Sequence, residues 1–235
     1  MIVVVGQPAY RPPTASAPGA AAGPAVGVAR AAVAAGAVAQ LIGKVGADQA
    51  GDALLLDLAR AGIGHAAVLR DPGRPTAAAP IPTGADVGED PAGSPRLDEA
   101  PDPAAQSEVP AEPVDDETRL GLDAADVDLG LRYLTGYGVI VTAEPLSDAT
   151  VAIVAEAAAY AGAHLVVVTQ SGTPGPVIDR NVPSTLLEAP ADDPDEQFVG
   201  LVGRYAAALD TGAAARDAFR TALGPSGWEP VTPSA

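Results

Sequence analysis

The chain of 235 residues holds 30 acidic and 13 basic side chains, a formal charge of −17, and so repels nucleic-acid phosphates and anionic lipid surfaces alike. It has no cysteine, which excludes a disulfide framework and a thiolate site. Its two histidines, His65 and His164, are too few to build a zinc site alone.

One large domain is the default for this length. The opening "MIVVVG" has no basic leader, and its apolar run is too short for a secretory signal, so a cytoplasmic protein is expected. "IVVV" at 2–5 reads as the first strand. Further strands are expected at 38–43, 65–70, 138–142 and 164–168, with helices at 24–36, 49–61, 123–133 and 147–161. This alternation argues for a mainly parallel sheet with helices on both faces, an α/β fold.

Local signals support the helices. In "DQAGDALLLDLARAGI" the apolar Leu54, Leu55, Leu58 and Ala61 share one stripe, Asp48 is placed to cap, and Gly62 ends the run. Ser147 and Gly162 bracket the next long helix in the same way. The apolar stretch from Val151 to Val168 reaches membrane-spanning length. It carries Glu156 and His164 and a glycine-containing break, so helix followed by strand is expected instead.

Residues 84–118 are dominated by Pro, Gly, Ala and acidic side chains, with little to bury, and read as an acidic disordered linker or loop. The expected organisation is therefore two halves of one domain, 1–83 and 119–224, around this excursion, with a tail at 225–235 that Trp228 pins. Two late helices are expected at 194–209 and 211–223. Before them, "EAPADDPDEQF" offers Asp193 as N-cap, Pro194 at the first helical position and Glu196 to close a capping box. A helix start filled by its own carboxylates disfavours a bound anion.

The passages "APGAAAGPAVGVARAAVAAGA", "AQLIGKVGADQAGDALLLDLARAGI" and "AAVLRDPGRPTAAAP", with the late pair "FVGLVGRYAAALDTGAAARDAFRTAL", together resemble the ribokinase or PfkB family of carbohydrate kinases. The resemblance implies a ribokinase-like fold whose lid region is replaced by the acidic excursion. It also implies a Gly-Ala-Gly-Asp loop before the first late helix, its glycines cradling phosphate and its Asp acting as base. Here no glycine lies between Ala189 and Val199, and the Asp position falls on Glu196 or, with a shift of one, on Asp195. An Asp expected soon after the first strand is absent from "GQPAYRPP", and the family's sugar-contacting Asn falls on Gly27. The Asn-x-x-Glu segment that serves magnesium is not visible. The strand at 164–168 runs almost directly into the late helices.

The resemblance to that family, weighed with these departures, implies a degenerate and truncated member. Such a member would bind a small molecule or a protein partner without phosphotransfer, with no cofactor and no metal. Gly23, Gly27, Lys44 and Thr76 are the candidate substrate-binding residues. An alternative is an active sugar or nucleoside kinase using ATP and Mg, with Asp195 or Glu196 as base and Lys44 or Arg180 assisting phosphate. A third reading makes the acidic excursion a docking segment for a basic protein surface. Nucleic acid and membrane are not expected partners; oligomeric state is left open, a homodimer included.

Overall fold

A computed structural model describes residues 1–79, 120–191, 193 and 195–224. The expected linker at 84–118 and the tail with Trp228 lie outside the described residues. Strands β1 (Ile2–Val5), β4 (Ala39–Gly46), β5 (Gly64–Asp71), β6 (Val139–Thr142), β7 (His164–Gln170) and β8 (Ser184–Ala189) form one sheet in the order β5-β4-β1-β6-β7-β8. Every pairing in it is parallel. The two expected halves thus contribute to a single sheet, joined where β1 lies beside β6.

Side chains alternate across this sheet as strand geometry requires. Ile2, Val4, Leu41, Val45, Val139 and Val141 point to one face, where helices α1 (Pro24–Ala34), α2 (Gln49–Arg60), α5 (Gln197–Asp210) and α6 (Ala215–Leu223) cover them. Val3, Val5, Ile42, Ile140, Leu165 and Val167 point to the other, under α3 (Ala124–Tyr133) and α4 (Asp148–Ala161). The layering follows from the chain path. Steps from β1 to β4 to β5 and from β5 to β6 to β7 run in opposite directions, and right-handed crossovers then place their helices on opposite faces.

The helix signals act as their chemistry predicts. Asp48 accepts the Gly51 N–H at 2.8 Å, Ser147 accepts that of Thr150 at 3.2 Å, and Gly62 and Gly162 take positive φ at the ends of α2 and α4. Alanine-rich faces let α1 and α5 approach closely. A Cβ at Gly203 would lie 2.5 Å from the Val28 carbonyl oxygen, so only glycine fits there.

The expectation for the late region needs three corrections. Strand β8 intervenes between β7 and α5, because the Thr185, Leu187 and Ala189 face of "STLLEA" has a helix to pack on while its other face is exposed. Its exposed half weakened the apolar signal. Helix α5 begins at Gln197 rather than 194, and α6 at Ala215 rather than 211. A small antiparallel pair, β2 (Ala9–Arg11) with β3 (Ala20–Ala22), was also not expected. It is bridged to the main body through Tyr10 and Ala78.

Candidate functional site

In an open parallel sheet, ligands sit beyond the carboxyl ends of the strands at the point where the chain reverses its direction of travel. Here that point lies between β1 and β6, where Gly6 and Gln7 follow one strand and Ala143 and Glu144 the other. Glu144 accepts the Gln7 N–H at 2.5 Å. Its burial pushes the carboxyl above the ordinary Glu range. A Cβ at Gly6 would meet Ala25 of α1 at 2.9 Å and Glu144 Oε1 at 3.2 Å, so the glycine lets carboxylate and helix start share the space. Gln7 Oε1 and Thr142 Oγ1 are buried beside these strand ends with no hydrogen-bond partner among the described residues.

Three stretches that differ from the family pattern converge near this edge. Gly27, on the first turns of α1, faces the start of α5. A Cβ there would lie 2.9 Å from Val199 Cγ2 and 3.9 Å from Glu196 Oε2. Val199 therefore fills the space that an asparagine at 27 would need. Arg11 of β2 approaches from the other side, its Nη2 4.0 Å from Glu196 Oε1.

The start of α5 is built differently from a capping box. Glu196 occupies the cap position in the left-handed region, φ 53, and its side chain caps nothing. It is the one non-glycine residue with positive φ among the described residues, a conformation that costs about 1 kcal/mol or more. Asp193 performs the capping from further back. Its carboxylate accepts the Phe198 N–H at 3.1 and 3.0 Å and the Val199 N–H at 3.2 Å. A turn closed by Glu196 N–H to the Asp193 carbonyl at 3.0 Å holds it there. The expected occupancy of this helix end by carboxylate is thus present, through Asp193 alone. Asp195 lies on the turn, its Oδ2 3.5 Å from Gln197 Nε2.

The remaining candidates have structural partners. Lys44 points to the opposite face of the sheet, where it is largely buried in an ion pair with Asp126 of α3. Thr76 donates to Asp48 Oδ1 at 2.6 Å, gives its N–H to Asp48 Oδ2 at 2.8 Å, and accepts the Gly46 N–H at 3.0 Å. The Thr76 hydroxyl and amide bonds hold the Asp48 carboxyl below its ordinary range. Gly23 precedes α1 with φ 99, a conformation glycine adopts without strain. Arg180 lies in the exposed loop between β7 and β8. A wide open cavity of about 460 Å³ lies apart from the Arg11 and Glu196 cluster, beyond β7 and β8, lined by Thr169, Gly172 to Gly175, Leu186 and Glu188. Glu188 is already engaged by the Ser171 hydroxyl at 2.7 Å and the Gly172 N–H at 3.0 Å.

Sequence reasoning missed three residues, Gln7, Glu144 and Arg11. Glu144 stands two residues past the β-branched run "VIVT", and a carboxylate just beyond a buried strand is the available signal. Arg11 stands in "GQPAYRPP", where an absent Asp was noticed and the cation was not.

The model of the pfkB family of carbohydrate kinases matches residues 18–93. No curated protein matches the chain. Among solved structures, the protein called Sa239 superposes with a TM-score of 0.56 at 11% identity, the alignment covering 98% of this chain and 95% of that one. A PfkB protein from Polaromonas sp. JS666 gives 0.54 at 13% identity, covering 94% and 92%. Arabidopsis thaliana ribokinase, solved with ribose and ATP, gives 0.53 at 12% identity, covering 94% and 89%. At these identities the likeness is one of fold, and the fold is ribokinase-like.

Proposed function

We propose that this chain, whose family match and fold support membership among the pfkB carbohydrate kinases, is a degenerate member that binds a small sugar-like molecule and does not transfer phosphate. The observation that carries this reading is the Asp193 carboxylate seated on the Phe198 and Val199 N–H groups. Free amides at a helix start attract phosphate. Here an internal anion takes them, and Glu196 adds a second carboxylate at the same end. A triphosphate arriving there meets like charge at short range, worth roughly 1 kcal/mol per contact at 4 Å in water and more in a cleft. The residues present therefore do not fit a triphosphate at this position, and no phosphotransfer step is derived.

The binding half of the reading rests on the strand ends. Gln7, Glu144 and Glu196 supply hydroxyl partners around the β1 and β6 edge, where an open α/β sheet presents its ligand. The test is a thermal melt with several millimolar Mg-ATP, paired with an assay for ADP release across pentoses, hexoses and nucleosides. A ligand at about 100 times its Kd adds about 2.7 kcal/mol, so real nucleotide binding raises the midpoint by roughly 5 to 10 °C. The expected result is no shift and no ADP. ATP-dependent phosphorylation of any of these substrates overturns the reading.

A second reading is favoured by the strained backbone of Glu196, since strain of this kind collects at working sites. In it the chain is a divergent kinase with Glu196 or Asp195 as base. Any turnover found would then vanish on the double change Asp195→Asn with Glu196→Gln.

A further inference from the structure

We propose that His164, Thr185 and Tyr205 form a proton-operated latch, which holds helix α5 on strand β8 while the imidazole is neutral and loosens it when the imidazole takes up a proton. Helix α5 carries the acidic start described above, so the latch makes the attachment of that helix sensitive to pH. It stands apart from any reading of ligand or phosphotransfer.

The three side chains join three elements by hydrogen bonds. His164 opens β7 on the same side of the strand as Val166 and Val168, whose face packs under α5. Its Nε2 lies 2.9 Å from Thr185 Oγ1 on β8, and that oxygen lies 2.8 Å from the Tyr205 hydroxyl on α5. Tyr205 is 1% exposed, and among the described residues Thr185 is the partner of its hydroxyl. A buried phenol needs an acceptor for its proton, so Tyr205 donates to Thr185. The Thr185 hydroxyl then donates to His164 Nε2, which accepts when the ring is neutral with its proton on Nδ1.

Protonation turns Nε2 from an acceptor into a donor. Thr185 Oγ1 then faces two donors, and its own proton has no acceptor within the chain of three. Reversing the chain moves the unmatched proton to Tyr205, inside the core. Either way a hydrogen bond between β8 and α5 is lost. Burial already holds the His164 imidazole below its ordinary value of 6.5.

The charged groups around the imidazole are engaged elsewhere or exposed. On α5, Asp210 binds the Met1 amino group at 2.6 and 2.9 Å, and Arg204 Nε donates to the Ala222 carbonyl at 2.9 Å. On α6, Asp217 pairs with Arg220 at 2.8 Å and Arg216 is exposed. Asp179 and Arg180 before β8 are exposed, and Glu188 near its far end binds Ser171. Tyr137 before β6 packs on the opposite face of the sheet. Among the described residues none of these carboxylates forms an ion pair with His164. A histidine with a depressed folded pKa contributes stability that is full above its unfolded value and is lost as pH falls. The latch is therefore closed at neutral pH and opens in acid.

The test is amide hydrogen exchange of the full chain at about pH 7 and about pH 5, corrected for the intrinsic pH dependence of exchange. Protection of α5 is expected to fall at least about fivefold more than that of α2, which holds no part of the latch. His164→Gln keeps an acceptor for Thr185 and cannot titrate, so the extra fall should vanish. Thr185→Val removes the middle hydroxyl and should lower α5 protection equally at both pH values. If neither variant folds, the wild-type comparison of α5 with α2 still decides. Equal changes in the two helices, or an extra fall in α5 that persists in either folded variant, overturn the latch.

Discussion

Glu144 shows how a single side chain records its surroundings. Burial raises its carboxyl above the ordinary value of 4.5, and the Gln7 N–H only partly offsets this. A group whose pKa is higher folded than unfolded stabilises the fold at low pH and loses that contribution as pH rises through the window above 4.5. Glu144→Gln keeps an acceptor for the Gln7 N–H and removes the charge. Its midpoint is expected to match wild type near pH 4 and to exceed it at pH 7. A melt series from pH 4 to 8 on both proteins checks this, and parallel curves contradict it. Glu144 and Arg11 were both printed in the sequence, yet a one-dimensional reading ranks residues by motif. What distinguishes them is burial, of the Glu144 carboxyl and of the Arg11 Nε, a property of neighbours far away in the chain.

Among the elements, α5 carries most of the interpretation. Its start combines a left-handed Glu196 with an Asp193 carboxylate that reaches forward to the amides of residues 198 and 199. Asp193→Ala leaves those N–H groups without their acceptor and should cost about 1 to 2 kcal/mol, as loss of a capping side chain does. The midpoint then falls by roughly 2 to 8 °C. Asp193→Asn, which keeps an acceptor, should recover much of the loss. A melt in which Asp193→Ala equals wild type would show that the carboxylate is not the cap. The carboxylate-filled helix end was legible in "ADDPDEQF" from composition and spacing. Which acid fills it was not, because the turn at 193–196 that delays the helix depends on how β8 delivers the chain to α5. Elements with strong internal periodicity, such as α2 with its Leu54 and Leu58 stripe, were legible almost to their ends. Strand β8 and the pair β2 and β3 were not, since strands of three to six residues are too short to carry much periodic signal, and β2 and β8 are also only partly buried.

At the scale of the molecule, charge and connectivity set the behaviour. A formal charge of −17 makes the compact state repel itself, and salt screens that repulsion over about 10 Å at 0.1 M. Raising sodium chloride from about 0.01 to 0.3 M, where the screening length falls well below a domain radius, is expected to raise the midpoint steadily. A falling midpoint would mean that ion pairs such as Arg30 with Asp57 at 2.5 Å outweigh the net repulsion. Among the described residues, no helix is long and apolar enough to cross a membrane. The stretch of transmembrane length divides into α4 and β7, as its internal charges required.

The amino-acid sequence by itself determined the class of fold, the parallel order of strand and helix, the caps at Asp48 and Ser147 and the acidity of the α5 start. Each of these depends on residues close together in the chain, through periodicity, capping chemistry or charge. Only the tertiary structure decided that Lys44 turns away to Asp126, that Val199 fills the space at Gly27, and that Arg11, Gly27 and Glu196 meet at one edge of the sheet. Those outcomes depend on which strand lies beside which and on how the loops after β1 and β6 leave the sheet. Strand neighbours are set by long-range packing, and local patterning carries no record of them.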